Sequence, residues 1–203
     1  IYNVCFRPTK FFQTVEKESF LTTLLFYLIL TGIVAIITFP ATYLQFQQSP
    51  SELLNIVPYT AYSGLMAAIA LGMYVAGIAG LLITAFILHL AVKVMKGKAN
   101  YVQSVRVFVY SSVPALVIGI ILEYFALMPL LFVISVIPAI FLFIYQIILS
   151  VIGIRDLHKV STGRSIATLF VFILFVILLA VIIIVIYFII FALLINTGIF
   201  PAY

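Results

Sequence analysis

The chain has 203 residues, of which 67% are hydrophobic and only 7% are charged, and its formal net charge is +5. About a quarter of the residues of a water-soluble domain are charged, so this composition excludes a soluble globular protein. A membrane β-barrel would show alternating segments of about ten residues, whereas this chain has long unbroken apolar runs. We therefore predict an all-α membrane helix bundle.

A short amphipathic stretch comes before the first apolar run. Pro8 suits the first turn of a helix, where its missing N–H would be unpaired in any case. Phe11, Phe12 and Val15 fall on one face at helical spacing. We predict an interfacial helix over residues 8–18 that lies along the lipid headgroups; the alternative is a soluble linker.

Five apolar segments follow, and each approaches or exceeds the roughly 20 helical residues that cross a bilayer core. Pro40 is predicted to end the first segment, and the polar stretch up to Pro58 is predicted to be a loop. Pro114 and Pro138 are predicted to kink the third and fourth segments. We treat residues 1–203 as a single membrane domain. The predicted spans are about 20–39, 61–92, 105–127, 130–154 and 166–195.

The basic residues give the orientation. All ten lysines and arginines lie before the first span, around the connection between the second and third spans, or between the fourth and fifth spans. In a five-span arrangement these three places are on one side of the membrane. Because basic connections stay in the cytoplasm, we predict a cytoplasmic N-terminus and an extracytoplasmic C-terminus. Concentration of these residues at the ends of apolar spans also argues against nucleic-acid binding. The residues are Arg7, Lys10, Lys17, Lys93, Lys96, Lys98, Arg106, Arg155, Lys159 and Arg164.

The second span contains small residues at strict four-residue spacing, which puts them on one helix face. Small side chains let helices approach closely in a membrane. The preferred interpretation is packing against another span of the same chain, and the alternative is an interface between two copies. The residues of this small-residue ridge are Gly64, Ala68, Gly72, Ala76 and Gly80.

Few polar groups fall within or near the spans. His89 and Glu123 are expected near opposite membrane faces, so they cannot form an acid–base pair. Gln146 is predicted to make an interhelical hydrogen bond. Asp156 and His158 are potential metal ligands, but no further ligand lies near them in the sequence, and a metal site needs more. We therefore predict no metal, no cofactor and no enzymatic activity.

Four motifs together resemble the signature of the Yip-one domain family, small membrane proteins related to eukaryotic factors that interact with Ypt/Rab GTPases. The resemblance implies a five-span membrane adaptor or organising protein, linked in eukaryotes to vesicle transport. The long polar N-terminal segment common in eukaryotic members is lacking here, which favours a bacterial or archaeal member. The motifs are Arg7-Pro8-x-x-Phe11-Phe12, His89-x-x-x-Lys93-x-x-Lys96-Gly97-Lys98-Ala99-Asn100-Tyr101, Arg106-x-x-x-Tyr110-x-x-x-Pro114 and Gly153-Ile154-Arg155.

The predicted function is a non-enzymatic scaffold or adaptor that organises the membrane or recruits a partner. The alternative is a transporter or channel-like subunit of a larger membrane complex. The expected partners are the bilayer, including anionic lipid, a membrane or cytoplasmic protein, and a second copy of the chain. The predicted cytoplasmic interaction surface consists of His89, Lys93, Lys96, Gly97, Lys98, Tyr101, Arg106, Tyr110, Arg155, Lys159 and Arg164.

Overall fold

The structure is a computed structural model that describes residues 2–48, 59–98 and 100–196. Within these ranges the chain is helical with short connections and has no strand. The helices are α1 (Tyr2–Phe6), α2 (Pro8–Val15), α3 (Phe20–Gln48), α4 (Tyr59–Val94), α5 (Tyr101–Phe125), α6 (Pro129–His158) and α7 (Thr162–Asn196).

Helices α3 to α7 are long and apolar enough to cross a membrane, which confirms the predicted all-α bundle with five spans. Most of them extend beyond the spans predicted from hydrophobicity. The 36 residues of α4 measure about 54 Å at 1.5 Å per residue. A bilayer with its headgroups is about 40–45 Å thick, so an upright helix of this length reaches water.

The first span does not end at Pro40, as the sequence led us to predict, because α3 continues to Gln48. Proline removes one helix hydrogen bond and crowds the carbonyl one turn earlier. Membrane helices tolerate this where other groups satisfy the freed backbone. The carbonyl that Pro40 leaves without its helix partner is that of Ile36, and the next carbonyl, that of Ile37, accepts a hydrogen bond of 2.6 Å from the hydroxyl of Tyr124. The remainder of the predicted loop, residues 49–58, lies outside the described residues.

Helix α5 is at the centre of the bundle and packs against α3, α4 and α6, while α7 packs against α4 and α6. Both α5 and α6 run through their internal prolines; the kinks stay predictions. Most side chains of α7 beyond residue 173 are exposed, so they face lipid in the membrane. The core therefore lies toward one end of the bundle. Its α5 members are Ser104, Val105, Arg106, Val107, Val109, Tyr110, Ser111, Val113 and Pro114.

The N-terminal helices pack on this end of the bundle. Helix α2 lies against α6, and α1 contacts α2 and α5. Phe12 is 0% exposed and Val15 is buried, so the apolar face of α2 is covered by protein. The helix predicted over residues 8–18 is thus present over Pro8–Val15, with its apolar face packed on protein; its position along the headgroups stays a prediction. The sequence pattern shows an apolar face without showing whether protein or lipid covers it.

The small-residue ridge of α4 does not pack against another described span. A Cβ atom added at Gly64, Gly72 or Gly80 would meet no atom within 4 Å, and Ala68 and Ala76 are exposed. The preferred interpretation from the sequence, packing within the chain, is therefore wrong for the described residues. Helix α3, for example, contacts α4 at Tyr74, whose hydroxyl donates a hydrogen bond of 2.7 Å to the carbonyl of Leu28. An interface between copies stays a prediction.

Candidate interaction site at the basic end of the bundle

One end of the bundle carries the three connections that contain basic residues, and we call it the basic end. It comprises residues 16–19, 95–98, 100 and 159–161, the adjoining helix ends, and α2. Two backbone hydrogen bonds order the connection after α4: the N–H of Gly97 donates to the carbonyl of Val92 (2.9 Å) in the last turn of α4, and the N–H of Lys98 donates to the carbonyl of His158 (3.4 Å). The connection after α4 is thereby fixed against the end of α6.

Arg106 joins the N-terminal segment to α5. It is only 5% exposed, and its Nη1 donates to the carbonyl of Glu16 at 3.0 Å. Its Nη2 donates to the carbonyl of Glu18, whose carboxylate accepts a hydrogen bond from the hydroxyl of Tyr110. The planar guanidinium can serve two acceptors at once. This side chain therefore satisfies carbonyls at the turn between α2 and α3, where the helix ends would otherwise leave them unpaired.

The carboxylates at this end all have partners within the chain. Asp156 forms an ion pair with Arg155 at 2.7 Å, and Arg155 also donates to the hydroxyl of Thr9 at 3.2 Å. Glu16 forms an ion pair with Lys159 at 2.6 Å. Together with the bond between Tyr110 and Glu18, these contacts engage each described carboxylate at the basic end.

Seven basic side chains remain without a hydrogen bond or ion pair to any described residue. All of them are exposed. The basic end thus presents seven cations to its surroundings, and none of its described carboxylates is free to neutralise them. They are Arg7, Lys10, Lys17, Lys93, Lys96, Lys98 and Arg164.

The predicted interaction surface must be reduced accordingly. Gly97, Arg106 and Tyr110 are buried, so their assignment to an accessible surface is wrong. Tyr101 is half-buried, and its hydroxyl donates to the carbonyl of Leu82 at 2.9 Å. His89 is half-buried as well. The sequence motif thus mixes residues that build the basic end with residues that face outward. The exposed members of the predicted set are Lys93, Lys96, Lys98, Lys159 and Arg164.

A polar cluster lies beneath the basic connections. The hydroxyl of Ser104 is 3.2 Å from Nε2 of His158 and 3.4 Å from Nδ1 of His89. His158 is fully buried, and its Nδ1 has no partner among the described residues. Sequence reasoning missed this cluster because Ser104 carries no distinguishing pattern. The described residues contain no group of three or more potential metal ligands.

Glu123 and Gln146, the two span residues singled out in the sequence along with His89, lie in different environments. Glu123 is within 3.4 Å of the hydroxyl of Thr42 at the end opposite the basic residues. Gln146 lines an apolar cavity, and its side-chain amide has no hydrogen-bond partner among the described residues. The prediction that Gln146 makes an interhelical hydrogen bond is therefore wrong for this part of the chain, because no polar group of α4, α5 or α7 reaches it.

The fold and this end of the bundle define a small, multi-pass, all-helical membrane protein that presents a basic face. Residues 2–185 match the family model described as the Yip1 domain, so the chain belongs to the Yip1 domain family. This confirms the resemblance carried by the sequence motifs. No curated protein and no solved structure matches the chain.

Proposed function

We propose that the protein is a non-enzymatic membrane adaptor that docks an acidic protein segment on its basic end, which faces the cytoplasm. The observation that carries this proposal is the set of seven exposed cations without partners, beside carboxylates that are all engaged. Positive and negative surfaces attract each other over distances of about a Debye length. An adaptor needs such a surface and needs no reactive side chain.

The contacts of the basic end support a rigid docking surface. Lys96 and Lys98 project from the connection after α4, which hydrogen bonds fix to Val92 and His158. Ordered cations lose less conformational freedom on binding than cations on a mobile segment. The connection therefore presents its two lysines from a backbone that these hydrogen bonds hold in place.

The test removes two of these cations. The double variant Lys96→Gln, Lys98→Gln should retain less of a partner that is cross-linked and co-purified from native membranes. Two exposed ion pairs contribute about 0.2–1 kcal/mol each, so retention should weaken roughly two- to thirtyfold. The loss should be larger at low salt, where screening is weak.

The matched comparison is Arg7→Gln, Lys10→Gln, which removes the same charge from the other side of the basic end, at α2 and its start. A larger loss in the Lys96, Lys98 variant would place the docked segment at the α4–α5 connection, equal losses would show that it contacts the whole basic end, and unchanged retention in both variants would contradict the proposal. Reconstitution in neutral phosphatidylcholine separates a protein partner from anionic lipid. Retention that vanishes in neutral lipid, with purified partner present, would assign the cations to lipid binding and overturn the proposal.

A further inference from the structure

A cavity of about 750 Å³ lies between α4, α5, α6 and α7. Ligand pockets in proteins typically enclose about 300–1,000 Å³, so this space is large enough for a small ligand. It is separate from the basic connections and from the N-terminal helices. Its walls include Leu88, Phe108, Ile148, Ile166, Phe170 and Phe172.

The position of the cavity matches one leaflet of a bilayer. Along α7 it extends from Thr162, the first residue of the helix, to Ile173. At 1.5 Å per residue this length is about 16 Å. Half of a bilayer core of about 30 Å is about 15 Å. The cavity therefore runs from the basic end to about the middle of the membrane.

The wall of the cavity is almost entirely apolar. The hydroxyl of Ser111 donates to the carbonyl of Phe108 at 3.3 Å, and that of Ser150 donates to the carbonyl of Gln146 at 2.8 Å. Both hydroxyls are thus turned back onto their own helices. A bound water needs several polar partners, which these walls do not offer, and an empty cavity would lose dispersion contacts along its lining. An apolar occupant fits these walls.

Two apolar occupants are available in a membrane, a transmembrane helix of a partner and a lipid acyl chain. A helix that crosses the bilayer core is about 10 Å wide and about 30 Å long. It would therefore extend well beyond this cavity, whose length of about 16 Å matches one leaflet. A lipid acyl chain is much thinner, has the length of one leaflet, and surrounds the protein on its open side.

The charges at the cavity's end indicate which lipid is preferred. Leu88 and Thr162 mark that end, and α4 and α7 carry the unpaired cations Lys93 and Arg164 close to it in sequence. Each basic residue near a membrane surface gains about 1 kcal/mol from anionic headgroups. We propose that this cavity holds one acyl chain of an anionic phospholipid, whose headgroup lies between Lys93 and Arg164.

The test uses the absence of tryptophan from the chain. Phe170→Trp places a single tryptophan at the cavity, and Phe188→Trp places a single tryptophan on the same helix away from the cavity. The two phenylalanines are similarly exposed, at 65% and 62%, so they meet surrounding lipid equally. Purified protein in detergent is titrated with phosphatidylglycerol that carries brominated acyl chains, which quench tryptophan fluorescence.

Quenching of the Phe170→Trp variant should saturate near one lipid per protein, while quenching of Phe188→Trp should rise only with the lipid-to-detergent ratio. Unlabelled phosphatidylglycerol should reverse the saturable quenching at least tenfold more effectively than phosphatidylcholine. Equal curves for the two variants would overturn the proposal, and equal competition by both lipids would overturn its headgroup. Phe172→Trp, at another wall position, provides a second fluorophore should the first variant fail to fold.

Gln146 provides a second measurement that separates an acyl chain from a polar occupant. Its side-chain amide lies in the wall without a hydrogen-bond partner among the described residues, and an apolar chain cannot offer it one. Gln146→Leu should therefore leave the saturable quenching intact or strengthen it. Loss of binding in this variant would show that the occupant hydrogen-bonds to the amide, as a polar ligand or a helix would. None of these results depends on whether an acidic protein docks on the basic end.

Discussion

The ring of Phe12 packs directly on Gly153. A Cβ atom added at Gly153 would lie 3.0 Å from both Cε1 and Cζ of this ring and 3.3 Å from Cγ1 of Val107. Phe12 is fully buried, so the ring has little room to move away. The missing side chain at Gly153 is therefore what allows α2 to lie against α6, and with it the turn that Arg106 binds.

This contact predicts that two glycine substitutions differ strongly in their effect on stability. Gly153→Leu should destabilise the protein by several kcal/mol, or detach α2, because overpacking displaces buried neighbours. Gly72→Leu should change the thermal unfolding midpoint little, since its Cβ would meet no atom within 4 Å and such surface changes cost about 0.5 kcal/mol or less. Thermal unfolding of both variants in one detergent measures the difference.

The same pair also tests the ridge of α4 as an interface between copies. If two copies pack there, Gly72→Leu should lower self-association, measured by cross-linking in native membranes, without lowering the unfolding midpoint of the monomer. An equally large loss of stability in Gly72→Leu and Gly153→Leu would mean that the ridge packs within the chain after all.

Arg106→Lys should loosen the N-terminal segment. A lysine ammonium cannot reproduce the planar fork that serves the carbonyls of Glu16 and Glu18, and an unsatisfied buried acceptor costs about 1–3 kcal/mol. Amide hydrogen exchange should increase over residues 8–18 and change little in α7. Lys96→Gln, at an exposed position, is the control. Unchanged exchange over residues 8–18 in Arg106→Lys would show that packing of Phe12 alone holds the segment.

The sequence was sufficient for the spans and insufficient for the contacts between them. Five apolar runs predict five helices because only a helix satisfies its backbone in hydrocarbon. It is harder to predict that Pro40 lies inside a helix, since a proline can either end a helix or be tolerated within a membrane span, and the local sequence does not distinguish the two. Hydrophobicity in a membrane protein also does not distinguish lipid-facing from buried faces, and for this reason the ridge of α4 was assigned to the wrong environment.

The basic end shows a similar limit. The positions of lysine and arginine in the sequence predict which basic residues lie at this end. They do not predict which of these residues stay unpaired, because that depends on which carboxylates reach them in the fold. Glu16 and Glu18 pair with residues about 90 to 140 positions away. Arg106 lies at the start of a predicted span. An ionisable residue within a span usually faces the interior of the bundle and has a partner there, so its position was the one signal in the sequence that Arg106 is buried and bonded.

Ser104→Ala should destabilise the protein because it removes a hydrogen-bond partner of the buried His158. His158 is fully buried, and the hydroxyl of Ser104 is its side-chain partner among the described residues. Removing the hydroxyl leaves both imidazole nitrogens unsatisfied, at a cost of about 1–3 kcal/mol. Ser150→Ala is the matched control, because its hydroxyl bonds only to a carbonyl of its own helix. Equal unfolding midpoints for the two variants would contradict a stabilising role of the cluster.

The orientation of the bundle leads to the last prediction. The structure brings α2 and the connections after α4 and α6 to one end, so the three basic clusters that the sequence placed on one side of the membrane are neighbours. By the positive-inside rule we expect this end to be cytoplasmic. On a Cys5→Ser background, which removes the only cysteine of the chain, single cysteines are placed at Lys98 and at Ser51, a position outside the described residues. A membrane-impermeant thiol reagent should label Ser51→Cys in intact cells and Lys98→Cys only after the membrane is opened. Labelling of both positions in intact cells would end the five-span orientation, and labelling of Lys98→Cys alone would invert it and place the seven free cations outside the cytoplasm.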